Sequence, residues 1–118
     1  MYIDGFVVPV PTGRKDDYRK LAEKGWALFR EFGATAQMEA WGDDVPKGKL
    51  TDFYGAVKAE DGETVVFSWI VWPDKATRDA GHEKMMSDER MKEWGTDMPF
   101  DGKRMIFGGF VPVFDGKA

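Results

Sequence analysis

Patterned segments follow one another as strand, helix, strand, strand, strand, helix, strand. That order predicts an α+β fold, a ferredoxin-like antiparallel sheet with helices on one face and one extra hairpin strand. Three observations carry the expectation. An apolar stripe at helical spacing runs from Tyr18 to Phe32, β-branched and aromatic runs fill residues 2–10 and 63–72, and Gly, Pro and Asp punctuate the joins. At 118 residues the chain is the size of one domain, expected to span residues 1–118.

The first run, Tyr2 to Val10, reads as a strand whose Pro9 places its end at a sheet margin. Pro11-Thr12-Gly13 breaks it, Thr12 is placed to cap a helix, and Asp16 and Asp17 suit the positive end of the helix dipole. Tyr18, Leu21, Ala22, Gly25, Leu28, Phe29 and Phe32 then share one helical face, with Asp16/Lys20 and Arg19/Glu23 paired on the other. Gly33 is positioned for a left-handed stop. Residues 35–41 alternate as a second strand, and the Gly-, Asp- and Pro-rich stretch from Gly42 to Lys49 is a loop. Asp52 to Ala59 and Glu63 to Trp72 read as two strands of a hairpin, turned at Asp61-Gly62. Asp74 caps a helix over 75–86, Ser87-Asp88-Glu89 starts a short helix carrying Met91 and Trp94, and Lys103 to Val113 forms the last strand after Asp101-Gly102. Gly108-Gly109 within it permits a bulge, curvature or close backbone approach.

The segment Thr64 to Trp72 is apolar on both sides. Val65, Phe67, Trp69 and Val71 fall on one face, and Val66, Ile70 and Trp72 on the other. Helices can cover only one of these. A second copy of the same sheet is the simplest cover for the other, so a homodimer is expected.

Composition narrows the function. The chain has 17 Lys plus Arg against 21 Asp plus Glu, a net charge of −4, and that field disfavours nucleic acid, which selects basic surfaces. Cysteine is absent and His82 is the single histidine, so disulfides, thiolate chemistry and His-rich metal sites are not expected, and no cofactor is implied. Gly42-Asp43-Asp44 lacks the spacing of a cation loop. There is no phosphate-cradling Gly-Lys-Ser/Thr loop and no nucleophile elbow. No apolar run is long enough to span a membrane, and Met1 to Gly5 does not resemble a signal peptide, so a cytoplasmic protein is expected.

Several stretches resemble a known family. Asp4-Gly5-Phe6-Val7-Val8-Pro9-Val10-Pro11, Phe67-Ser68-Trp69-Ile70, Met85-Met86-Ser87-Asp88 and above all Met98-Pro99-Phe100-Asp101-Gly102-Lys103-Arg104-Met105-Ile106-Phe107-Gly108-Gly109-Phe110 are similar to the uncharacterised bacterial YbaA-like proteins. The resemblance spans nearly the whole chain. It implies membership of the dimeric α/β-barrel superfamily, whose relatives include cofactor-independent monooxygenases, dyp-type haem proteins and small isomerases. The family tends to carry Pro where Glu89 stands and often Asn where His82 stands, which argues against a family-wide catalytic role for His82. Some members bear a label linking them to the signal-recognition-particle RNA, which the acidic balance does not support.

Candidate site residues follow from polar groups in apolar surroundings. Asp4, Glu39 and Ser68 interrupt apolar strands, and a buried carboxylate needs a partner. Asp4, Glu39 and Arg104 brought together would bind or deprotonate a small polar ligand. His82, one helical turn after Arg78, is a candidate base or haem ligand, but the ordinary reading, a partly exposed helix histidine, is the favoured one. Trp41, Phe67, Trp69 and Phe107 are the expected lining of a pocket between sheet and helices. Met85, Met86, Met91, Met98 and Met105 read as adaptable core and interface filler. The expected function is binding of a small hydrophobic or aromatic molecule, with cofactor-independent oxygenation or isomerisation as the reaction class. A non-catalytic dimeric binding protein is the alternative, and RNA binding ranks third.

Overall fold

In the computed structural model, which describes residues 1–94 and 98–118, the chain opens with β1 (Tyr2–Pro11), a 3₁₀ turn at Thr12–Arg14 and α1 (Lys15–Glu31). β2 (Ala36–Trp41), the one-turn α2 (Phe53–Ala56), β3 (Glu63–Trp72), α3 (Lys75–Ser87), a 3₁₀ segment at Glu89–Trp94 and β4 (Ile106–Phe110) follow. The four strands form one antiparallel sheet in the order β2-β3-β1-β4. This is the ferredoxin-like α+β plan, with α1 and α3 on one side.

Local chemistry places the helices. Asp74 accepts from the Thr77 amide at 2.7 Å and starts α3 as its spacing predicts. Gly33 adopts φ +111° just beyond α1, the left-handed conformation its position requires. Thr12 does not cap α1. The cap position is taken by Arg14, whose side chain bonds Asp17 rather than capping the helix, and the Thr12 hydroxyl instead meets that of Thr64 at 2.8 Å, tying the end of β1 to the start of β3.

The expected strand over 52–59 is replaced by α2. The Asp52 carboxylate accepts from the Gly55 amide at 2.6 Å and the Gly48 amide at 3.1 Å, so it both caps a helical turn and gathers the loop before it. Lys58 at φ 50° then reverses the chain. Among the described residues the sheet has four strands, with no added hairpin. The last strand is also shorter than Lys103 to Val113. Asp101 accepts from the Lys103 amide at 3.0 Å and its carbonyl from the Arg104 amide at 3.1 Å, so those residues form a turn. Gly108 and Gly109 pair regularly with Gly5 and Asp4. A Cβ on Gly109 would collide with the Tyr2 ring, so close approach explains that glycine. The side chain of Trp94 lies outside the described residues.

Alternation divides the sheet into two unlike faces. Tyr2, Asp4, Val8 and Val10 of β1 and Val66, Ser68, Ile70 and Trp72 of β3 are buried beneath the helices. Phe29 of α1 meets Trp72 edge to face at 6.1 Å, and Trp26 packs on the same cluster. On the other face stand Ile3 and Val7 of β1, Met38 of β2, Phe67, Trp69 and Val71 of β3, and Ile106 and Phe110 of β4. Phe67 is 47% exposed and Phe110 60%. This open face is as apolar as the core, in the manner the β3 pattern predicts.

α3 approaches the sheet at Gly81, where a Cβ would lie 2.6–2.7 Å from the Trp72 ring. Trp72 is fully buried and has no room to retreat. Gly81→Ala is therefore expected to destabilise by about 1–3 kcal/mol in urea unfolding through overpacking; an unchanged midpoint would contradict this contact.

Candidate functional site

The buried polar groups sort into three separate clusters. The deepest is at Asp4, 2% exposed on the helix side of β1. α3 brings Arg78 and His82, one turn apart, over it. Arg78 Nε donates to Asp4 Oδ1 at 2.9 Å, Trp72 Nε1 donates to Oδ2 at 2.9 Å, and His82 Nε2 lies 2.7 Å from the same oxygen. An ionised carboxylate only accepts, so the His82 proton in this contact sits on Nε2. The Arg78 guanidinium also lies 5.2 Å from the Tyr2 ring centroid. Burial works against its charge, but the bonds to Asp79 and Asp4 outweigh that and raise Arg78 above its ordinary value. His82 is 38% exposed, as a partly exposed helix histidine should be. With three donors satisfied by one carboxylate, this cluster straps α3 to the sheet.

The second cluster surrounds Glu39. β2 directs Gln37, Glu39 and Trp41 to the helix side, and Glu39 stands opposite Ser68 of β3. Tyr18 of α1 donates its hydroxyl to Glu39 Oε1 at 2.6 Å, and Gln37 Nε2 donates to Oε2 at 2.9 Å. Burial, then the charge of Glu39 and its hydrogen bond, hold the Tyr18 phenol far above its ordinary value. It remains a donor throughout the accessible pH range. The Gln37 Oε1 atom is buried without a partner. Two hollows meet at this cluster and share Tyr18, Ala22, Gln37 and Glu39 in their walls. The inner one, about 270 Å³, lies between sheet and helices against Ser68, Phe29, Ile70 and four methionines, Met85, Met91, Met98 and Met105. The outer groove, about 590 Å³, runs along α1 past Trp26 and Trp41.

The third cluster is a clamp on the segment before β4. Arg104 grips Glu63 through two parallel bonds at 2.7 and 2.8 Å, and reaches Asp101 at 3.1 Å and the Lys58 carbonyl at 3.0 Å. The expected convergence of Asp4, Glu39 and Arg104 therefore does not occur. Each is neutralised or hydrogen-bonded where it stands, by partners from different elements. The expected aromatic lining is also divided by the sheet. Phe67 and Trp69 face the open side and, with Phe107 stacked on Phe6 at the sheet edge, border a shallow apolar depression; Trp41 lies on the helix side. Of the polar candidates, Glu39 and Ser68 share the inner cavity, while Asp4, His82 and Arg104 lie outside it. Tyr18 and Gln37 were not among the sequence candidates. The legible signal was a tyrosine inside an apolar helical stripe and the two-residue spacing of Gln37, Glu39 and Trp41. Among the described residues no group of three or more His, Asp or Glu is arranged to hold a metal, and no helix is long and apolar enough to cross a membrane.

Two outcomes follow from the clusters outside the cavity. Asp4→Ala removes the shared acceptor of Arg78, Trp72 and His82, and breaking a buried pair from one side is expected to cost about 3–5 kcal/mol in chemical denaturation; a loss below about 1 kcal/mol would show that the strap is not structural. The hydrogen bond from Arg104, set against burial, holds Glu63 below its unfolded value of 4.5. A depressed carboxylate stabilises above its unfolded value and loses that contribution as pH falls through the lower folded value. Acid titration of wild type against Arg104→Met should show the wild-type advantage fading below the unfolded value; an advantage independent of pH would contradict the clamp.

Comparison with known proteins places this geometry in a family. The family model described as "Protein of unknown function (DUF1428)" matches residues 1–102. The uncharacterized protein YbaA of Escherichia coli strain K12 is 61% identical over 114 residues, covering 97% of both chains, and YbaA of Shigella flexneri matches with the same identity and coverage. Among solved structures, a dimeric ferredoxin-like protein from an uncultured marine organism superposes with a TM-score of 0.59 at 9% identity over 100% of both chains. An uncharacterized NIPSNAP domain protein from Burkholderia xenovorans has a TM-score of 0.59 at 14% identity, covering 99% of this chain and 100% of that one. At such identities the two structures share the fold alone. The family match and the 61% identity are of another order, and the chain belongs to the DUF1428 family of proteins of unknown function.

Proposed function

We propose that the chain acts as a homodimer that binds a small hydrophobic or aromatic molecule between sheet and helices, anchored at Glu39. The observation that carries this reading is a carboxylate, held by Tyr18 and Gln37, set in the wall of a methionine-lined apolar cavity. Ligand sites are commonly apolar hollows with few directed polar groups, and methionine walls adapt to a guest. The dimer is supported by the open sheet face, where Ile3, Val7, Phe67, Trp69 and Val71 of the central strands stand together and Glu63, held by Arg104, lies at the strand end, and a dimeric ferredoxin-like protein shares the fold.

A cofactor-independent oxygenase or isomerase reaction here would begin with proton removal by Glu39, the only carboxylate in the inner cavity wall among the described residues. Both Glu39 oxygens already accept hydrogen bonds, from Tyr18 and Gln37, which favours binding without turnover.

Two measurements test the reading. Light scattering at micromolar concentration should give twice the 13.4 kDa chain mass, and Phe67→Asp should return the single-chain mass; a wild-type monomer would overturn the dimer. Tryptophan fluorescence should titrate saturably with 2-phenylethanol, and Ala22→Trp, which fills the wall shared by both hollows, should abolish the response while the far-ultraviolet spectrum stays folded. Equal titration of folded Ala22→Trp and wild type would place the ligand elsewhere.

A further inference from the structure

We infer that the molecule bound at Glu39 carries an organic cation, an ammonium head on an apolar body. This rests on the cavity reading above and adds the charge of the ligand. The two side chains bonded to Glu39, Tyr18 and Gln37, are both neutral, and among the described residues none of its hydrogen bonds comes from a cation. Charged groups in partly buried sites are normally paired, because the cost of leaving water is otherwise uncompensated. Among the described residues no ion pair reaches Glu39, and its counter-charge is left to the ligand.

The outer groove supplies the second observation. Its wall presents Tyr18, Trp26 and Trp41 beside Glu39, and tryptophan faces attract ammonium groups. The chain itself shows this, since Lys15 Nζ sits 5.7 Å from the Trp41 ring centroid. The other cation on this groove, Arg19, is occupied by Glu23 at 2.8 Å and Asp16 at 3.9 Å on the solvent side. An ammonium reaching Glu39 from the groove would meet a carboxylate and aromatic faces together. Its apolar body would occupy the inner cavity beside Ile70 and Phe29. A carboxylate-bearing ligand of the same shape would meet Glu39 as a like charge and be rejected.

Three probes of similar shape separate the possibilities by tryptophan fluorescence: 2-phenylethylamine, 2-phenylethanol and 3-phenylpropionate. The amine is expected to bind about tenfold or more tightly than the alcohol, the order of a charge-assisted bond over a neutral one, and the acid more weakly than either. In Glu39→Gln the amine should fall to the affinity of the alcohol. Should that variant fail to fold, Trp41→Leu serves instead, and there the amine should lose affinity by about threefold or more while the alcohol does not. Equal binding of amine and alcohol by the wild type, or tightest binding of the acid, would overturn the cation and leave the cavity reading standing. No saturable binding of any of the three would overturn both.

Discussion

A sheet with one face closed by its own helices and the other face apolar along its centre is the constraint on which this molecule turns. The register of β3 against β1 and β2 sends Ser68, Glu39 and Asp4 to the helix side and leaves Phe67, Trp69, Met38 and Ile3 on the other. Full burial of each large apolar side chain is worth roughly 1.5–3 kcal/mol, and the proposed dimer would gain that for the open face. The register also dictates where chemistry can be. The Asp4 and Glu39 clusters, the cavity and the outer groove lie on the helix side.

The polar clusters are local and complete, with one exception. Asp4 collects Arg78, Trp72 and His82 and ties α3 down. Arg104 holds Glu63 and fixes the segment leading to β4. Both arrangements match charge with charge. Glu39 does not: its bonds come from a phenol and an amide, and the neighbouring Gln37 oxygen has no partner. Unsatisfied or unmatched polar groups cost stability, and they persist where binding depends on them. The same logic distinguishes His82, which the sequence marks by being the only one of its kind, from Tyr18, which it marks only as a tyrosine within an apolar helical stripe. His82 completes a structural cluster, and Tyr18 forms the wall of the cavity.

Much of the fold was legible because it rests on periodicity. The helical stripe from Tyr18 to Phe32, the two-faced strand ending at Trp72 and the Asp74 cap are repeated local signals, and each element formed where they lie. The failures arose where one side chain outweighed the pattern. Asp52 wound residues 53–56 into a helical turn that the apolar run concealed, and Thr12 found Thr64 across the sheet rather than the adjacent helix. The site was legible in part. Polar residues in apolar strands did single out Glu39 and Ser68, which share the cavity. Which polar groups meet depends on register and helix docking, so the pairing of Asp4 with α3 and the isolation of Arg104 could not be read from spacing. The aromatic lining failed for a simpler reason: Phe67 and Trp41 differ in which side of the sheet they face, and that is set by pairing.

The division of labour between the two faces is tested most directly by the chemistry of two methionines. Met38 stands on the open face, 49% exposed in the single chain, and Met86 on α3 is 88% exposed. Oxidation by dilute peroxide converts accessible thioethers to sulfoxides, and peptide mass spectrometry reads each position separately. If a second copy covers the sheet, Met38 stays reduced while Met86 oxidises, and dilution to the monomer removes the protection. Oxidation of Met38 at the rate of Met86 at high protein concentration would mean that the apolar face is open to water, contradicting the account.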